Sequence, residues 1–346
     1  MKNCKIVQNY IIGENSIKKL NELISNNSKK DTIILIDDYF ENNYSILENF
    51  INNKHKILFV STKTEPKSEY IDEIVKKIKN NYQPDLIVGI GGGTTLDISK
   101  ATSILLTNNG KAEDYQGWDL VKNKSIYKIG IPTISGTGAE FTRTAVMTSP
   151  SKKLGINSDE SVFDQVILDP NLIKTVPNDK FIYTAMDCFV HNVESLRGTQ
   201  NDSMTIAYAE KSLEMLKKIF KGEMDYEKLM VCSAFGGLAV ANSNVGICHP
   251  LSYGLSLVLG LRHGYAITIA FNQLEEYYPE VKDFKLILEK YNISLPKIID
   301  ESVTEEQISK MADATLLNEK PLENAFGKKW KEIFTKEKVI ELLKKM

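Results

Sequence analysis

Four short apolar runs in the first half of the chain constrain its fold more than any other feature. They are DTIILID (31–37), HKILFVS (55–61), DLIVGI (85–90) and YKIGIP (127–132). Each is apolar without alternation and largely β-branched, which is the pattern of a strand buried on both faces. Between the second and third, SEYIDEIVKKIKNN (68–81) places Ile71, Ile74, Val75 and Ile78 at helical spacing. Strands alternating with helices imply a mostly parallel α/β sheet of Rossmann-like type, with helices over both faces.

The pattern changes near ILDPNLIKTVPND (167–179), where two prolines and an Asn-Asp pair interrupt the chain. Beyond it helical periodicity dominates, at 180–197, 201–221, 225–242, 263–278 and in several shorter segments to the end. The expected organisation is therefore an α/β dinucleotide-binding domain over 1–176 and an all-α, metal-binding and catalytic domain over 177–346. A length of 346 residues suits two domains.

Bulk properties exclude several function classes. Net charge is −2, with 25% charged and 42% hydrophobic residues, so no electrostatic pull toward nucleic acid or an anionic membrane is expected. Lysine pairs such as Lys76-Lys77 and Lys344-Lys345 read as solvated faces. No run of 18 apolar residues and no signal-peptide pattern is present, and the four cysteines form no CxxC. A cytoplasmic enzyme with free thiols is the expectation.

DLIVGIGGGTTLDISKATSILL reads as strand, glycine turn, helix. Gly91, Gly92 and Gly93 allow close backbone approach, Thr94 or Thr95 can cap the helix, and its N-terminus suits a pyrophosphate. Asp97 is placed in the first turn, with Lys100 one turn on. The motif is neither GxGxxG nor a P-loop, and a tight βα turn without a ligand has the same pattern. A second loop, PTISGTGAEFTRT (132–144), follows another strand, and two such loops at strand carboxyl ends can converge on one ligand. Asp38, just past the first strand, suits ribose hydroxyls or a helix cap, and its charge favours NAD over NADP. The cofactor-binding candidates are Asp38, Gly91, Gly92, Gly93, Thr94, Asp97, Thr133, Thr137, Thr142 and Lys153.

TAMDCFVHNVES (184–195) places Asp187 and His191 four apart, on one face of a helix. Such a pair is common by chance. The chain has only four histidines, however, and two of the others, His249 and His263, lie in HPLSYGLSLVLGLRHG. Fourteen residues of straight helix would span about 21 Å, so the segment must bend if both bind one ion. Gly254 and Gly260 are the places where it can. One carboxylate and three imidazoles suit Fe2+ or Zn2+. His249 before Pro250 also fits a packed capping residue, and His263 a surface helix start. His55 has no evident partner in the sequence, and Cys188 and Cys248 read as core.

Taken together, GGGTTLD with Lys100, PTISGTGAE, and Asp187, His191, His249 and His263 resemble the iron-dependent (group III) alcohol dehydrogenase family, from about residue 5 to about 280. The resemblance implies a dehydroquinate synthase-like fold and makes those four residues the metal ligands. It also implies hydride transfer from a metal-polarised alcohol to a nicotinamide. Threonine at 94 replaces the family's usual serine, Tyr253 stands where many members have a second histidine, and Arg262 stands where proline is frequent.

AEDYQGWDLV, GTGAEFTRTAVMTSP, LGINSDESVFDQVILDP and HPLSYGLSLVLGLRHG resemble most the subgroup that oxidises the C8 hydroxyl of 3-deoxy-D-manno-octulosonate (Kdo), on the route to 8-amino-Kdo in lipopolysaccharide. That likeness implies a sugar-acid substrate, with Arg262, then Arg143 and Arg197, as candidate partners of its carboxylate. It also implies a homodimer, a downstream PLP-dependent aminotransferase, and NAD, NADP or oxygen as the final acceptor. The competing readings are a dehydrogenase of a simple alcohol or polyol, a dehydroquinate synthase-type lyase, and a non-catalytic sugar-binding protein.

Overall fold

The computed structural model describes residues 4–26, 31–43, 47–48, 51 and 55–346. The apolar runs form β2 (Thr32–Asp37), β3 (Lys56–Val60), β4 (Leu86–Gly91) and β6 (Tyr127–Pro132). With β1 (Asn9–Ile12) and β9 (Gln165–Leu168) they make a six-stranded, wholly parallel sheet in the order β1-β9-β6-β4-β2-β3. Adjacent residues of one strand serve opposite faces, which explains the unbroken apolar runs. Ile33 and Leu35 pack with Ile71, Ile74 and Ile78 of α2 (Ser68–Asn81) and Ile98 and Ile104 of α3 (Gly93–Leu105). Ile34 and Ile36 pack on the other side with Ile17, Leu20, Ile24 and Phe40.

A second, three-stranded sheet escaped the sequence reading. It joins β5 (Gly117–Trp118), β8 (Lys153–Asn157) and β7 (Thr144–Thr148), the last two antiparallel. Their polar–apolar alternation is short, and only Ala145, Met147 and Ile156 reach the core shared with α3.

The chain divides into two compact units. One comprises Met1–Pro177 with Asp225–Ala234, the other Asn178–Met224 with Phe235–Met346. The second unit is helical. Its elements are α4 (Asn178–Arg197), α5 (Ser203–Lys221), the second half of α6 (Tyr226–Asn242), α7 (Cys248–Leu259), α8 (His263–Asn272), α9 (Val281–Lys290), α10 (Glu305–Leu316), α11 (Glu319–Phe326), α12 (Trp330–Ile333) and α13 (Lys336–Leu343). α5 begins two residues later than the pattern suggests because the Asp202 carboxylate caps it, accepting from the Thr205 amide. α8 ends at Asn272 rather than 278, and the chain turns through Leu274 and Tyr277 before Pro279. Phe189, Phe271 and Phe284 form an aromatic cluster beneath α4 and α8. α7 lies against α10 at Gly254, where a Cβ would stand 2.5 Å from the Met311 carbonyl oxygen. Among the described residues no helix is long and apolar enough to cross a membrane.

Candidate metal centre and cofactor loop

Asp187 and His191 lie on α4, one helical turn apart. His249 lies in the first turn of α7 and His263 opens α8. The bend that the spacing demands comes at Gly260, which caps α7 in the left-handed conformation at φ 69°. Gly254 makes no bend. It stays helical and serves packing against α10.

These turns gather the four side chains. The His249, His263 and His191 Nε2 atoms stand 3.5, 3.6 and 3.8 Å from Asp187 Oδ1. Ligand atoms of Asp187, His249 and His263 all lie within 4.8 Å of one another. His191 joins them with its ring stacked on His249, centroids 4.5 Å apart and planes 16° from parallel.

The donor set fits a small divalent ion. Both Asp187 carboxylate oxygens and His249 Nε2 are buried and make no hydrogen bond among the described residues. Burying such atoms without a partner is costly. Separations of 3.5–3.8 Å are long for hydrogen bonds. They are close to the spacing of about 3.4 Å between ligands placed 2.1 Å from a tetrahedral ion. The electrostatics point the same way. Burial pushes the Asp187 carboxyl up, but the His191, His263 and His249 imidazoles outweigh it and hold the group well below the usual carboxylate range. Burial would lower His249, and the Glu194 and Asp187 carboxylates raise it instead.

The cysteines beside the candidate ligands are core residues. Cys188 is fully buried, with its sulfur 3.8 Å from Ser212 Oγ. The Cys248 thiol donates to the Ile267 carbonyl, and burial raises its pKa well above the ordinary value. Tyr253, one turn beyond His249, puts its ring edge-on to His249 at 6.2 Å and 5.8 Å from His263. His55 is half-buried and far from this chemistry in sequence, and burial lowers its pKa.

In the first unit, the candidate cofactor residues cluster at the carboxyl ends of adjacent strands. Asp38 follows β2, Gly91 ends β4, and Thr133 follows β6, its amide donating to the Gly91 carbonyl at 3.0 Å. This is where parallel α/β sheets bind ligands. Two local expectations are corrected. Neither Thr94 nor Thr95 caps α3: the helix starts at Gly93, with Gly92 as its cap residue and no capping side chain. Asp97 lies beyond the first turn, where its carboxylate accepts from the Val146 amide. Gly91 is needed for packing, because a Cβ there would lie 2.6 Å from that of Thr95.

The second loop is held from within. The Gly136 and Gly138 amides both donate to Ser233 Oγ, which donates in turn to the buried Glu140 carboxylate. Thr137 Oγ1 accepts from the Ala139 amide, and Thr142 Oγ1 accepts from Lys100 Nζ. Lys100 is fully buried and also donates to the Thr142 and Thr144 carbonyls. Burial lowers its pKa while raising that of Asp97, 4.0 Å away. Lys153 pairs with Glu65 at 2.9 Å. Asp38 accepts from both the Thr62 amide and its hydroxyl.

Arg143 bridges Asp119 and Asp159, and Arg197 pairs with Glu280. Arg262 is exposed at the cap position of α8, next to His263.

Glu194, Ser233 and Glu140 were missed from sequence. Glu194 carried a signal, since it follows Asp187 by seven residues and so shares the helix face of Asp187 and His191. Glu140 closes the PTISGTGAE motif, whereas Ser233 carried no signal, because its partners are backbone amides and a carboxylate distant in sequence.

The iron-containing alcohol dehydrogenase model matches residues 8–170, and the Fe-containing alcohol dehydrogenase C-terminal model matches residues 181–292. The chain is 32% identical over 287 residues to the 4-hydroxybutyrate dehydrogenase of Clostridium kluyveri, covering 78% of this chain and 75% of that one. It is 32% identical over 220 residues to the sulfoacetaldehyde reductase of Bilophila wadsworthia, covering 61% of this chain and 57% of that one. The solved alcohol dehydrogenase of Oenococcus oeni superposes over 100% of both chains with a TM-score of 0.88 at 20% identity, a likeness of fold. Family matches across both units show that the chain belongs to the iron-containing alcohol dehydrogenases, oxidoreductases that act on a CH–OH group.

Proposed function

We propose that the protein is a metal- and nicotinamide-dependent dehydrogenase that oxidises the C8 primary hydroxyl of Kdo to the aldehyde, the oxidation that precedes amination to 8-amino-Kdo. The observation that carries the metal chemistry is the buried convergence of Asp187, His249 and His263, with donor atoms within 4.8 Å. Asp187, His191, His249 and His263 would hold the ion. A divalent ion there, iron or zinc, supplies Lewis acidity to a substrate hydroxyl.

The chain's own residues supply the rest. The amino end of α3, with Gly91–Gly93 and Thr94, binds the cofactor pyrophosphate. Asp38 accepts from the ribose hydroxyls and disfavours a 2′-phosphate, which makes NAD the cofactor. Arg262 binds the carboxylate of the sugar acid beside the metal ligands. Tyr253 walls the imidazoles of His249 and His263.

An acidic substrate is supported by the names of the two relatives at 32% identity, whose substrates carry a carboxylate or, in sulfoacetaldehyde, a sulfonate. The same names favour a second reading, a short alcohol bearing an acid group. Metal analysis and turnover decide between them. Kdo, 4-hydroxybutyrate and simple alcohols are supplied in turn, followed by nicotinamide absorbance and by peroxide release. Turnover of Kdo above the short alcohols is expected. Turnover of 4-hydroxybutyrate alone would reassign the substrate, and a protein that binds no metal would end the proposal.

A further inference from the structure

Glu194 is buried to 1% exposure and touches no solvent that could satisfy it. Its two oxygens are met by three groups. Oε2 lies 2.5 Å from His249 Nδ1. Oε1 accepts from the Cys248 amide at 2.6 Å and from the Tyr278 hydroxyl at 3.3 Å. The Tyr278 oxygen in turn accepts from the Ile247 amide at 3.2 Å, so its own proton is directed at Glu194. Space for this arrangement comes from Gly246, where a Cβ would stand 2.3 Å from Tyr278 Oη and 2.9 Å from Glu194 Oε1.

The Cys248 amide and the Tyr278 hydroxyl are both donors here, so the site is built for an acceptor. A carboxylate accepts at both oxygens, whereas an amide must turn an NH2 toward one of them. The third neighbour, His249 Nδ1, therefore faces an acceptor too and carries a hydrogen. That leaves the Nε2 lone pair, on the far side of the ring, aimed at Asp187 3.5 Å away. We propose that Glu194 is a positioning residue that locks His249 in the Nδ1–H tautomer and so makes Nε2 a ligand. Tyr278 and the Gly246–Cys248 backbone hold the carboxylate in place. The inference rests on the metal-centre reading above.

Glu194→Gln keeps the shape and breaks the logic. If the amide oxygen stays with the Cys248 amide, its NH2 faces His249 Nδ1, which must then accept, and the hydrogen moves to Nε2. The test uses the full chain freed of metal and titrated with Co2+ alone, read by the visible d–d absorption, with circular dichroism and thermal melting of the metal-free protein alongside. Expected is a Co2+ Kd raised by roughly 10- to 100-fold with a changed d–d envelope, and a metal-free fold like the wild type. Glu194→Asp, which remains acceptor-only but one methylene further away, is expected to fall between the two. A Glu194→Gln protein with the wild-type Kd and spectrum overturns the proposal. Should Glu194→Gln not fold, Glu194→Asp decides. Binding weaker by about fivefold or more supports the proposal, and wild-type affinity overturns it. Wild-type protein that takes up no Co2+ overturns the metal centre and this inference together. Wild-type uptake with an indifferent Glu194→Gln overturns this inference alone.

Discussion

Asp187 Oδ1 and His263 Nε2 approach to 3.6 Å, although one lies inside α4 and the other opens α8. Their approach depends on the reversal at Gly260. Replacing Asp187 by Asn keeps the volume and removes the charge that three imidazoles surround. Asp187→Asn is expected to lower metal affinity more than about 100-fold and to abolish turnover, with secondary structure intact. Metal content after dialysis, read beside circular dichroism, checks it. Retained metal at wild-type occupancy would remove Asp187 from the ligand set.

The arginines separate by position. Arg262→Ala is expected to raise KM for an acidic sugar by roughly tenfold with kcat little changed, since it removes one charge-assisted contact. Arg143→Ala should leave that KM alone, because its guanidinium is engaged by Asp119 and Asp159. Steady-state kinetics on both variants provide the check, and an unaltered KM in Arg262→Ala would end its assignment.

Asp38→Asn preserves an acceptor for the Thr62 amide while deleting the charge. Repulsion of a 2′-phosphate falls, and kcat/KM with NADP should rise by roughly tenfold relative to NAD. Cofactor competition assays measure the ratio. An unchanged ratio places cofactor choice elsewhere.

Lys128 gives a pH signature. Its ammonium is buried beside Ser125 Oγ at 2.7 Å, with Asp164 at 3.8 Å. Burial lowers its pKa from 10.5 to about 8 despite Asp164. Between these values the unfolded chain binds more protons than the folded one, so the lysine's contribution to stability increases as pH rises. Denaturation midpoints of wild type and Lys128→Met should diverge in favour of wild type from pH 8 toward 10.5, by roughly 3 kcal/mol over the whole window. Parallel curves would refute the lowered value.

Periodicity and covalent spacing make the first-half strands and the helix at 68–81 legible in the sequence. The runs at 32–37, 56–60, 86–91 and 127–132 are apolar on both faces and could only be buried parallel strands, and α2 appears with the bounds its apolar positions imply. The Asp187–His191 pair and the two distant histidines were legible because few histidines compete for the role. What failed depends on contacts between remote residues. β1 and β9 are four residues each and read as strands only through their pairing, β1 with β9 and β9 also with β6. Lys100 reads only as a motif lysine one turn beyond Asp97, and its ammonium spends its hydrogen bonds on the Thr142 hydroxyl and the Thr142 and Thr144 carbonyls. Arg143 looked available because Asp119 and Asp159 lie 24 and 16 residues away.

The absence of a side chain at position 254 has a further consequence. It lets the Met311 backbone settle directly on the helix that presents His249, so α10 acts as a backstop for a candidate ligand it does not itself supply. A chain cut before α10 would remove Met311 and Thr315 from beside Gly254 and free that helix to drift, loosening the candidate centre without altering any of its four side chains.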